Sequence, residues 1–369
     1  MRILILTTHL DAGGITSYLY NLLKGLLQHD QDVFLVSAGG NRARDFEQLG
    51  VRLITFPMRT KCEFSWRLAG PLFVLARLNR KERFDVIHAQ TRVTQVLGSI
   101  LSHICGCPLV TTCHGFFQRR LSRRLWPCWG TAVIAISPQV RKHLERDFHV
   151  DPNRIHDVRS GIDTSNYVLA SPDDKKAKRK AYGIPEGAVI GIIARLSPEK
   201  GHRLLIQAMA HVIRHVPTAR LLIIGKGRME KDLQAKVENL HLARNVLFFD
   251  VIHQTPEFLS LMDIFILPSS QEGLGLSVME AQAAGLPVIA TRVGGLPNLI
   301  HDGDNGILID LEDERGLAEA IVHLLNEPDL ARAMGQRGRT FIEKEGSYQT
   351  MAQRTLQVYG RLAKSNRGA

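Results

Sequence analysis

DIFILPSSQEGLGLSVMEAQAAGLPVIAT, residues 263–291, predicts a strand, a loop, a helix and a second strand. After Asp263 the first run, IFILP, is apolar throughout, as is typical of a parallel strand that is covered on both faces. The helix LSVMEAQAAG stops at Gly285, with Pro287 beyond it, and PVIAT forms the next strand. A strand, a helix and a strand in this order make a right-handed βαβ unit, the building block of α/β proteins.

The same alternation recurs in two series along the chain, and the second series begins after residue 187. Between the two series the strand-like runs stop, and proline, serine and a charged helix appear instead. Because single hydrophobic cores stop growing at about 250–300 residues, we predict two doubly wound α/β domains, residues 1–165 and 166–348, followed by an amphipathic helix at 349–364. The first series is RILILT, DVFLVSA, RLITF, DVIHA, PLVTTC and AVIAIS; the second is AVIGIIA, ARLLIIG, NVLFF, DIFILP and PVIAT.

Positive charge is concentrated in the first half of the chain. The net charge is +11, and residues 1–160 carry 22 Lys and Arg against 12 Asp and Glu, whereas residues 161–369 carry 25 against 24. A polyanion or an acidic membrane would therefore be attracted to the N-terminal half; the alternative is a generally basic soluble protein. The run KKAKRK at residues 175–180 is interpreted as the solvated face of a helix rather than as a nucleic-acid signal.

Cysteine usage and hydropathy indicate a cytoplasmic protein. The five cysteines form no CxxC pair, which predicts reduced thiols. The first apolar run ends before Asp11 and is too short for a signal peptide. Residues 93–113 contain no Asp, Glu, Lys or Arg, but they include polar side chains and the break GCP. We therefore predict a helix followed by a strand there, and no membrane span.

Unusual residues follow several strands of the first domain, where ligands of open α/β sheets bind. Gly13 and Gly14 open a helix after the first strand, which leaves unpaired N–H groups that can face an anion. His114 follows the strand PLVTTC. A tight turn and a purely structural histidine are the alternative readings of these residues.

Two cations occupy a corresponding place in the second domain. Arg195 and Lys200 lie in ARLSPEKG, between a strand and the next helix. The helix dipole disfavours positive charge at a helix N-terminus, but a bound diphosphate would reverse that penalty through charge-assisted hydrogen bonds. The alternative is two solvated loop cations.

The loop SSQEGLG predicts a phosphate site of the same kind. Gly273 and Gly275 allow a close backbone approach, and the N–H groups of Leu276 and Ser277 would then point at a phosphate.

Two glutamates accompany this loop. Glu280 lies about one turn into the helix, where its carboxylate could accept hydrogen bonds from vicinal hydroxyls such as those of a ribose. Glu272, on the loop itself, could hold hydroxyls beyond the phosphates. Dipole compensation is the alternative role of Glu280. Together the residues predict a nucleotide with a sugar attached.

The chain resembles the retaining glycosyltransferases of family 4, also called glycosyl transferases group 1. The resemblance is carried by these residues and by the motifs ARLSPEKG, GKG and VGGLPNLIHDGDNGILI between residues 189 and 308. The similarity covers nearly the whole chain. It implies the GT-B fold, in which two facing Rossmann-like domains enclose the active site in the cleft between them. It also implies that the helix at 349–364 packs back on the first domain.

The resemblance assigns expected roles to individual residues. Arg195 and Lys200 would stabilise the leaving diphosphate. Glu280 would bind the nucleotide ribose and Glu272 the donor sugar. His114 and Gly14 would line the reaction centre. Asp250 stands where the family usually has glycine, near the expected nucleobase end. The expected donor-binding residues are Gly13, Gly14, Gly225, Gly273, Leu274, Gly275, Leu276, Ser277 and Glu280.

The implied activity is transfer of a sugar from a nucleoside-diphosphate donor, with retention of configuration, to a glycan or lipid-linked acceptor in cell-envelope polysaccharide or lipopolysaccharide synthesis. No DxD-like acidic motif stands in a suitable loop, so we expect a metal-independent enzyme without a cofactor. The sequence does not favour Rossmann-type dehydrogenase activity, because no GxGxxG follows a strand with an acidic residue about 20 positions on.

The segment FFQRRLSRRLWPCWG suggests where an acceptor could bind. On a helical wheel Phe117, Leu121 and Leu125 lie on one side, which predicts an interfacial helix at the inner face of a membrane. An ordinary surface helix is the alternative. The predicted basic and aromatic anchors are Arg119, Arg120, Arg123, Arg124, Trp126 and Trp129.

Three other functional classes remain. A nucleotide-sugar epimerase of the same architecture would share the donor site but need no acceptor. A glycoside hydrolase needs two carboxylates flanking one bond, roughly 5–10 Å apart, whereas Glu272 and Glu280 serve different ends of the expected ligand. A non-catalytic basic protein that binds membranes or nucleic acid would not need the combination of the two glutamates with the glycines at the strand ends. We therefore favour the transferase, without a nucleic-acid partner.

Overall fold

Two all-parallel sheets organise the chain in the computed structural model, which describes residues 1–58, 60, 65, 68–169, 171–250 and 255–367, the side chains of 365–367 excepted. Residues 1–161, together with the residues from Tyr348 onward, form one compact unit, and Ile162–Ser347 form the other.

The first unit contains a sheet of strand order β3-β2-β1-β4-β5-β6-β7, in which every pairing is parallel. Its strands are β1 (Arg2–Leu6), β2 (Asp32–Ser37), β3 (Arg52–Thr55), β4 (Val86–Ala89), β5 (Leu109–Cys113), β6 (Ala132–Ala135) and β7 (Ile155–Asp157). Its helices are α1 (Gly14–Gln28), α2 (Ala43–Gln48), α3 (Ala69–Glu82), α4 (Arg92–Cys105), α5 (Leu121–Leu125), α6 (Pro138–Phe148) and, after the second unit, α14 (Tyr348–Arg367).

The second unit has a parallel sheet of order β10-β9-β8-β11-β12-β13. Its strands are β8 (Val189–Ile193), β9 (Arg220–Ile224), β10 (Val246–Phe249), β11 (Ile264–Leu267), β12 (Val288–Thr291) and β13 (Ile307–Ile309). Its helices are α7 (Pro172–Ala181), α8 (His202–His215), α9 (Glu230–Asn239), α10 (Thr255–Leu259), α11 (Leu276–Ala283), α12 (Glu314–Asn326) and α13 (Pro328–Glu345).

The predicted doubly wound α/β fold is confirmed, and every strand-like run of both series lies on an observed strand. The uncharged segment at 93–113 is α4 followed by β5, as predicted. Sequence inspection missed β7 and β13, which are three residues long and each stand at the edge of a sheet. So short an apolar run carries no periodicity that separates it from a loop.

Each sheet has one point where the strand order reverses direction. In the first sheet this switch lies between β1 and β4, and in the second between β8 and β11. Ligands of open α/β sheets bind beyond the carboxyl ends of the strands at such a switch point. The loops after β1, β4, β8 and β11 are therefore the places where each unit would hold a ligand.

Helix α14 completes the first unit. It lies against α1, where Gly25 leaves room for Ala352, because a Cβ at Gly25 would overlap the Ala352 methyl group. Farther along, the Tyr359 hydroxyl lies 2.6 Å from Nδ1 of His88 on β4. Both side chains are completely buried. Helix α14 therefore supplies core residues to the first unit and a hydrogen-bond partner to His88.

Helix α7 leaves most of residues 175–180 exposed, as predicted, with two exceptions. Lys175 and Arg179 both form ion pairs with Asp263, at 3.1 and 2.7 Å, so this part of the run anchors the helix to the second sheet. Lys176, by contrast, is mostly exposed.

Two further features concern the hydropathy of the helices and the state of the thiols. Throughout the described ranges, no helix combines the length and apolar character needed to cross a bilayer. The thiols of Cys105, Cys107, Cys113 and Cys128 are free, and Cys62 lies outside the described residues.

Candidate active site

Lys200 and Glu272 meet in the second unit, although 72 residues separate them in the chain. Lys200 ends a short 3-10 helix, Pro198–Lys200, on the loop after β8, and Glu272 lies on the loop after β11. Lys200 Nζ is 2.5 Å from Glu272 Oε2, and the two side chains are only 20% and 14% exposed. The second cation of the prediction, Arg195, is 71% exposed and pairs with Glu199 at 2.8 Å.

The loops after β8 and β11 are held together through their backbones. The Ser270 N–H donates to the Glu199 carbonyl at 2.9 Å. Gly201 has φ +73°, and a Cβ there would overlap the Pro268 carbonyl oxygen. Glycine is required at this position, because other residues adopt neither the conformation nor the close approach without strain.

A second pair of glycines fixes the same loop from the other side. The Gly295 N–H donates to the Glu272 carbonyl at 3.0 Å. Gly294 has φ +52°, and a Cβ on it would overlap that carbonyl oxygen. The backbone of Glu272 is thus enclosed by glycine contacts. These two glycines were missing from the predicted site, although they belong to the motif VGGLPN.

The start of α11 offers backbone donors to an anion. The Val278 and Met279 N–H groups donate to the Gly275 carbonyl, but no acceptor for the N–H groups of Leu276 and Ser277 occurs within the described parts of the chain. Glu280 is half-buried in the second turn. The predicted phosphate site therefore has the open N–H groups that it requires.

Two members of the predicted donor set also have packing roles of their own. The Leu274 side chain is buried in the core, so at that position only the backbone is open to a ligand. The Gly225 N–H already donates to the Phe249 carbonyl at 3.0 Å, and a Cβ at Gly225 would overlap the Ala194 carbonyl oxygen. Gly225 accordingly allows close packing beside Arg195. Gly273 lies half-buried beside Glu272.

The residue expected near the nucleobase has a cationic partner. Asp250, directly after β10, lies 2.5 Å from Lys226 Nζ, and both side chains are exposed.

In the first unit, α1 begins at two exposed glycines. Gly13 is the N-cap and accepts the Ser17 N–H at 3.0 Å. The N–H groups of Gly14 and Ile15 find no acceptor among the residues that the structure describes. This end of α1 is therefore also open to an anionic or hydroxylated ligand.

His114 stands at the carboxyl end of β5 and is held by two neighbours. Its Nε2 lies 2.9 Å from Gln90 Oε1, and its ring makes an edge contact with Tyr18 at 4.7 Å between centroids. Burial lowers the pKa of His114 to about 3. The imidazole is therefore neutral near pH 7 and acts through hydrogen bonds rather than charge. Gln90 was not among the predicted site residues, and its only signal in the sequence was a polar residue directly after the strand DVIHA.

A buried polar network lies behind His114. His88 Nε2 is 2.7 Å from Thr112 Oγ1, and its Nδ1 contacts Tyr359. Burial, with a smaller contribution from His114, lowers the pKa of His88 to about 3. The network links β4, β5 and α14 through neutral groups.

The interfacial-helix prediction is wrong in part. The helix spans only Leu121–Leu125, and Arg123 is 8% exposed. Its guanidinium carbon lies 4.1 Å from the Phe117 ring centroid and 5.2 Å from that of Trp129, which is also buried. Arg123 and Trp129 therefore cannot serve as membrane anchors.

The other members of the segment remain at the surface. Arg119 is exposed but paired with Asp147. Arg120, Leu121, Arg124, Leu125 and Trp126 are exposed as well.

Over the described ranges, no group of three or more His, Cys, Asp or Glu side chains is placed to hold a metal ion.

Comparison with known proteins identifies matching families. The family model described as Glycosyltransferase Family 4 matches residues 12–166, and the model described as Glycosyl transferases group 1 matches residues 174–341. Among curated relatives, alpha-maltose-1-phosphate synthase of Mycolicibacterium smegmatis is 30% identical over 78% of this chain and 82% of its own length. The Escherichia coli UDP-Gal:alpha-D-GlcNAc-diphosphoundecaprenol alpha-1,3-galactosyltransferase is 27% identical, over 82% of each chain.

Solved structures share the fold over the whole chain. A glycosyltransferase from Rickettsia africae aligns with a TM-score of 0.87 at 20% identity, covering 98% of each chain. Anabaena HepE, solved in complex with UDP and glucose, aligns with a TM-score of 0.86 at 22% identity, covering 98% of this chain and all of its own.

Proposed function

We propose that this chain, which belongs to Glycosyltransferase Family 4, moves a sugar from a nucleoside-diphosphate donor to a glycan or lipid-linked acceptor with retention of the anomeric configuration. It is a glycosyltransferase that acts on nucleotide-sugar donors. One observation carries the assignment of its donor site: Lys200 and Glu272 are brought into contact on two loops at the switch point of the second sheet.

The proposed roles follow from charge and hydrogen-bonding capacity. Arg195, Lys200 and the open N–H groups of Leu276 and Ser277 would bind the diphosphate and stabilise the charge that develops as it leaves. Glu280 would accept hydrogen bonds from ribose hydroxyls.

The remaining roles concern the sugar and the acceptor. The Glu272 carboxylate would accept hydrogen bonds from the hydroxyls of the transferred sugar. His114, neutral and half-buried, would exchange hydrogen bonds with sugar or acceptor hydroxyls, beside the open start of α1 at Gly14.

Metal independence is part of the proposal. Two cations and a helix N-terminus can neutralise the leaving diphosphate, which is the task that Mg²⁺ performs in metal-dependent phosphate chemistry. We expect full activity in excess EDTA, and a strict requirement for Mg²⁺ would contradict this part of the proposal.

A donor panel tests the donor site. The protein would be mixed with UDP-, GDP- and ADP-sugars while thermal shift and nucleoside diphosphate release are followed. We expect stabilisation by one nucleotide family, lost in Glu280→Ala and Lys200→Ala. Glu319→Ala is the matched control, because Glu319 is an exposed carboxylate on α12 that pairs with Arg315. The absence of any shift with the wild-type protein would contradict the proposed function.

We further propose a lipid-linked acceptor at the cytoplasmic face of a membrane, in cell-envelope polysaccharide or lipopolysaccharide synthesis. The relative from E. coli is named for a diphosphoundecaprenol acceptor, and Leu121, Leu125 and Trp126 expose apolar surface beside Arg120 and Arg124. Flotation with anionic liposomes at low salt should recover the protein, and Trp126→Ser together with Leu121→Ser should abolish recovery. Equal recovery on neutral liposomes would contradict an electrostatic contribution.

A further inference from the structure

The ion pair of Lys200 and Glu272 joins two residues that the proposed function assigns to different parts of the donor. Among the described residues, the Lys200 ammonium group is the only partner of the Glu272 carboxylate. Both side chains are largely buried, so each depends on the other more than an exposed pair would. The two side chains therefore satisfy each other's charge.

The backbone that carries the Glu272 carboxylate is held in place by its neighbours. The Glu272 backbone is fixed by the Gly295 N–H and by the close approach of Gly294, and its loop is tied to the one after β8 through Ser270 and Glu199. Lys200, with its long flexible side chain, is the partner that can turn toward a diphosphate.

The free-energy cost of turning Lys200 away from Glu272 depends on whether the ligand carries a sugar. A nucleoside diphosphate without a sugar draws Lys200 away and leaves Glu272 without its cation, next to added negative charge. A nucleotide sugar also presents hydroxyl groups, and these can donate hydrogen bonds to the carboxylate that Lys200 has left. The sugar therefore replaces the lost ion pair, whereas the free nucleoside diphosphate does not.

We propose that the Lys200–Glu272 pair makes the site discriminate between the nucleotide sugar and the nucleoside diphosphate, and thereby promotes product release. The inference rests on the proposed function. Once the sugar has been transferred, the Glu272 carboxylate loses its hydrogen-bond donors and competes with the diphosphate for Lys200. The same pair thus favours loading of the donor and departure of the spent nucleotide.

The second ion pair provides a matched control. Glu199 is also a carboxylate beside an expected phosphate cation, but its partner Arg195 is 71% exposed. Solvent can replace either partner of this pair at little cost. Glu199→Gln therefore removes one negative charge from the site without removing a ligand of the sugar.

Isothermal titration calorimetry on the whole chain tests the proposal with UDP and UDP-glucose, GDP and GDP-mannose, and ADP and ADP-glucose. For the base that binds, the wild-type protein should prefer the nucleotide sugar. Glu272→Gln should tighten binding of the nucleoside diphosphate by about tenfold and remove the preference, whereas Glu199→Gln should change both affinities by the same factor. Equal tightening of both ligands by Glu272→Gln, or weaker binding of the nucleoside diphosphate, would overturn the inference.

A crystal structure of the wild-type complex gives a second test that needs no variant. With the nucleotide sugar bound, Lys200 should contact phosphate and the distance from Nζ to the Glu272 carboxylate should exceed hydrogen-bonding range. A pair that stays in contact in that complex would overturn the inference while leaving the proposed function intact. If no nucleotide of the panel binds the wild-type protein, the proposed function itself fails, and the inference fails with it.

Discussion

Replacing Gly294 with alanine should separate the positioning of Glu272 from the stability of its unit. A non-glycine residue in the left-handed conformation costs about 1–2 kcal/mol, and Gly294 has φ +52°. The added Cβ would also overlap the Glu272 carbonyl oxygen, so the loop after β11 must shift. A displacement of about 1 Å at a catalytic group is enough to lower a rate by about 10²-fold, or about 2.7 kcal/mol of transition-state stabilisation.

Gly303→Ala is the matched control. Gly303 has φ +76° in the same unit, but a Cβ there would meet no atom within 4 Å. Gly303→Ala should lose about 1–2 kcal/mol of the free energy of unfolding, measured by urea denaturation, and Gly294→Ala should lose more, because the overlap adds strain to the left-handed conformation. Only Gly294→Ala should lower kcat/KM for the donor by about 10²-fold. If both variants lost the same activity, the close approach of Gly294 would not be what positions Glu272.

Three further predictions address charge, packing and catalysis. Because burial lowers the pKa of His88 to about 3 from 6.5, only the unfolded chain takes up a proton there between pH 7 and pH 5. The free energy of unfolding should therefore fall by about 2 kcal/mol over that interval through His88 alone, and urea titrations of His88→Asn should show a smaller fall; an unchanged pH dependence would refute this. Gly25→Ala should destabilise the first unit by about 1–3 kcal/mol, and Ala352→Gly in the same chain should recover part of the loss, since the two positions are in contact. Arg195→Ala should reduce the rate of transfer by about 10²–10³ at saturating donor; a change confined to KM would mean that Arg195 binds donor and transition state equally.

The strands and the loop SSQEGLG, which carries Glu272, could be predicted from the sequence because each is marked by residues close together in the chain. An apolar run identifies a buried strand, and Glu272 with its neighbouring glycines lies within one short motif. The pairing of Lys200 with Glu272 was not readable, because it depends on the adjacency of β8 and β11 and not on sequence spacing.

The burial of Arg123 could not be predicted from the sequence either. The helical wheel over residues 117–125 assumed a continuous helix, but α5 begins only at Leu121. Arg123 is covered by Trp129 and Phe148 as well as by Phe117, and nothing in its own segment marks it as the buried member of four arginines. Patterns near a residue report its local geometry, whereas its neighbours across the core follow from tertiary packing.

The membership of α14 in the first unit sets the order in which the two units can be completed on a ribosome. The second unit, Ile162–Ser347, is one continuous segment of the chain. In the first unit, Tyr359, the buried partner of His88, is synthesised 271 residues after it. At a synthesis rate of about 5–20 residues per second, the gap of 271 residues takes roughly 14–54 s. Throughout it, the surface of α1 that α14 will cover stays open to chaperones and to misfolding partners. A circular permutant that places residues 348–367 ahead of residue 1 would close this interval, and its yield of folded protein in cells would show how much the wait costs.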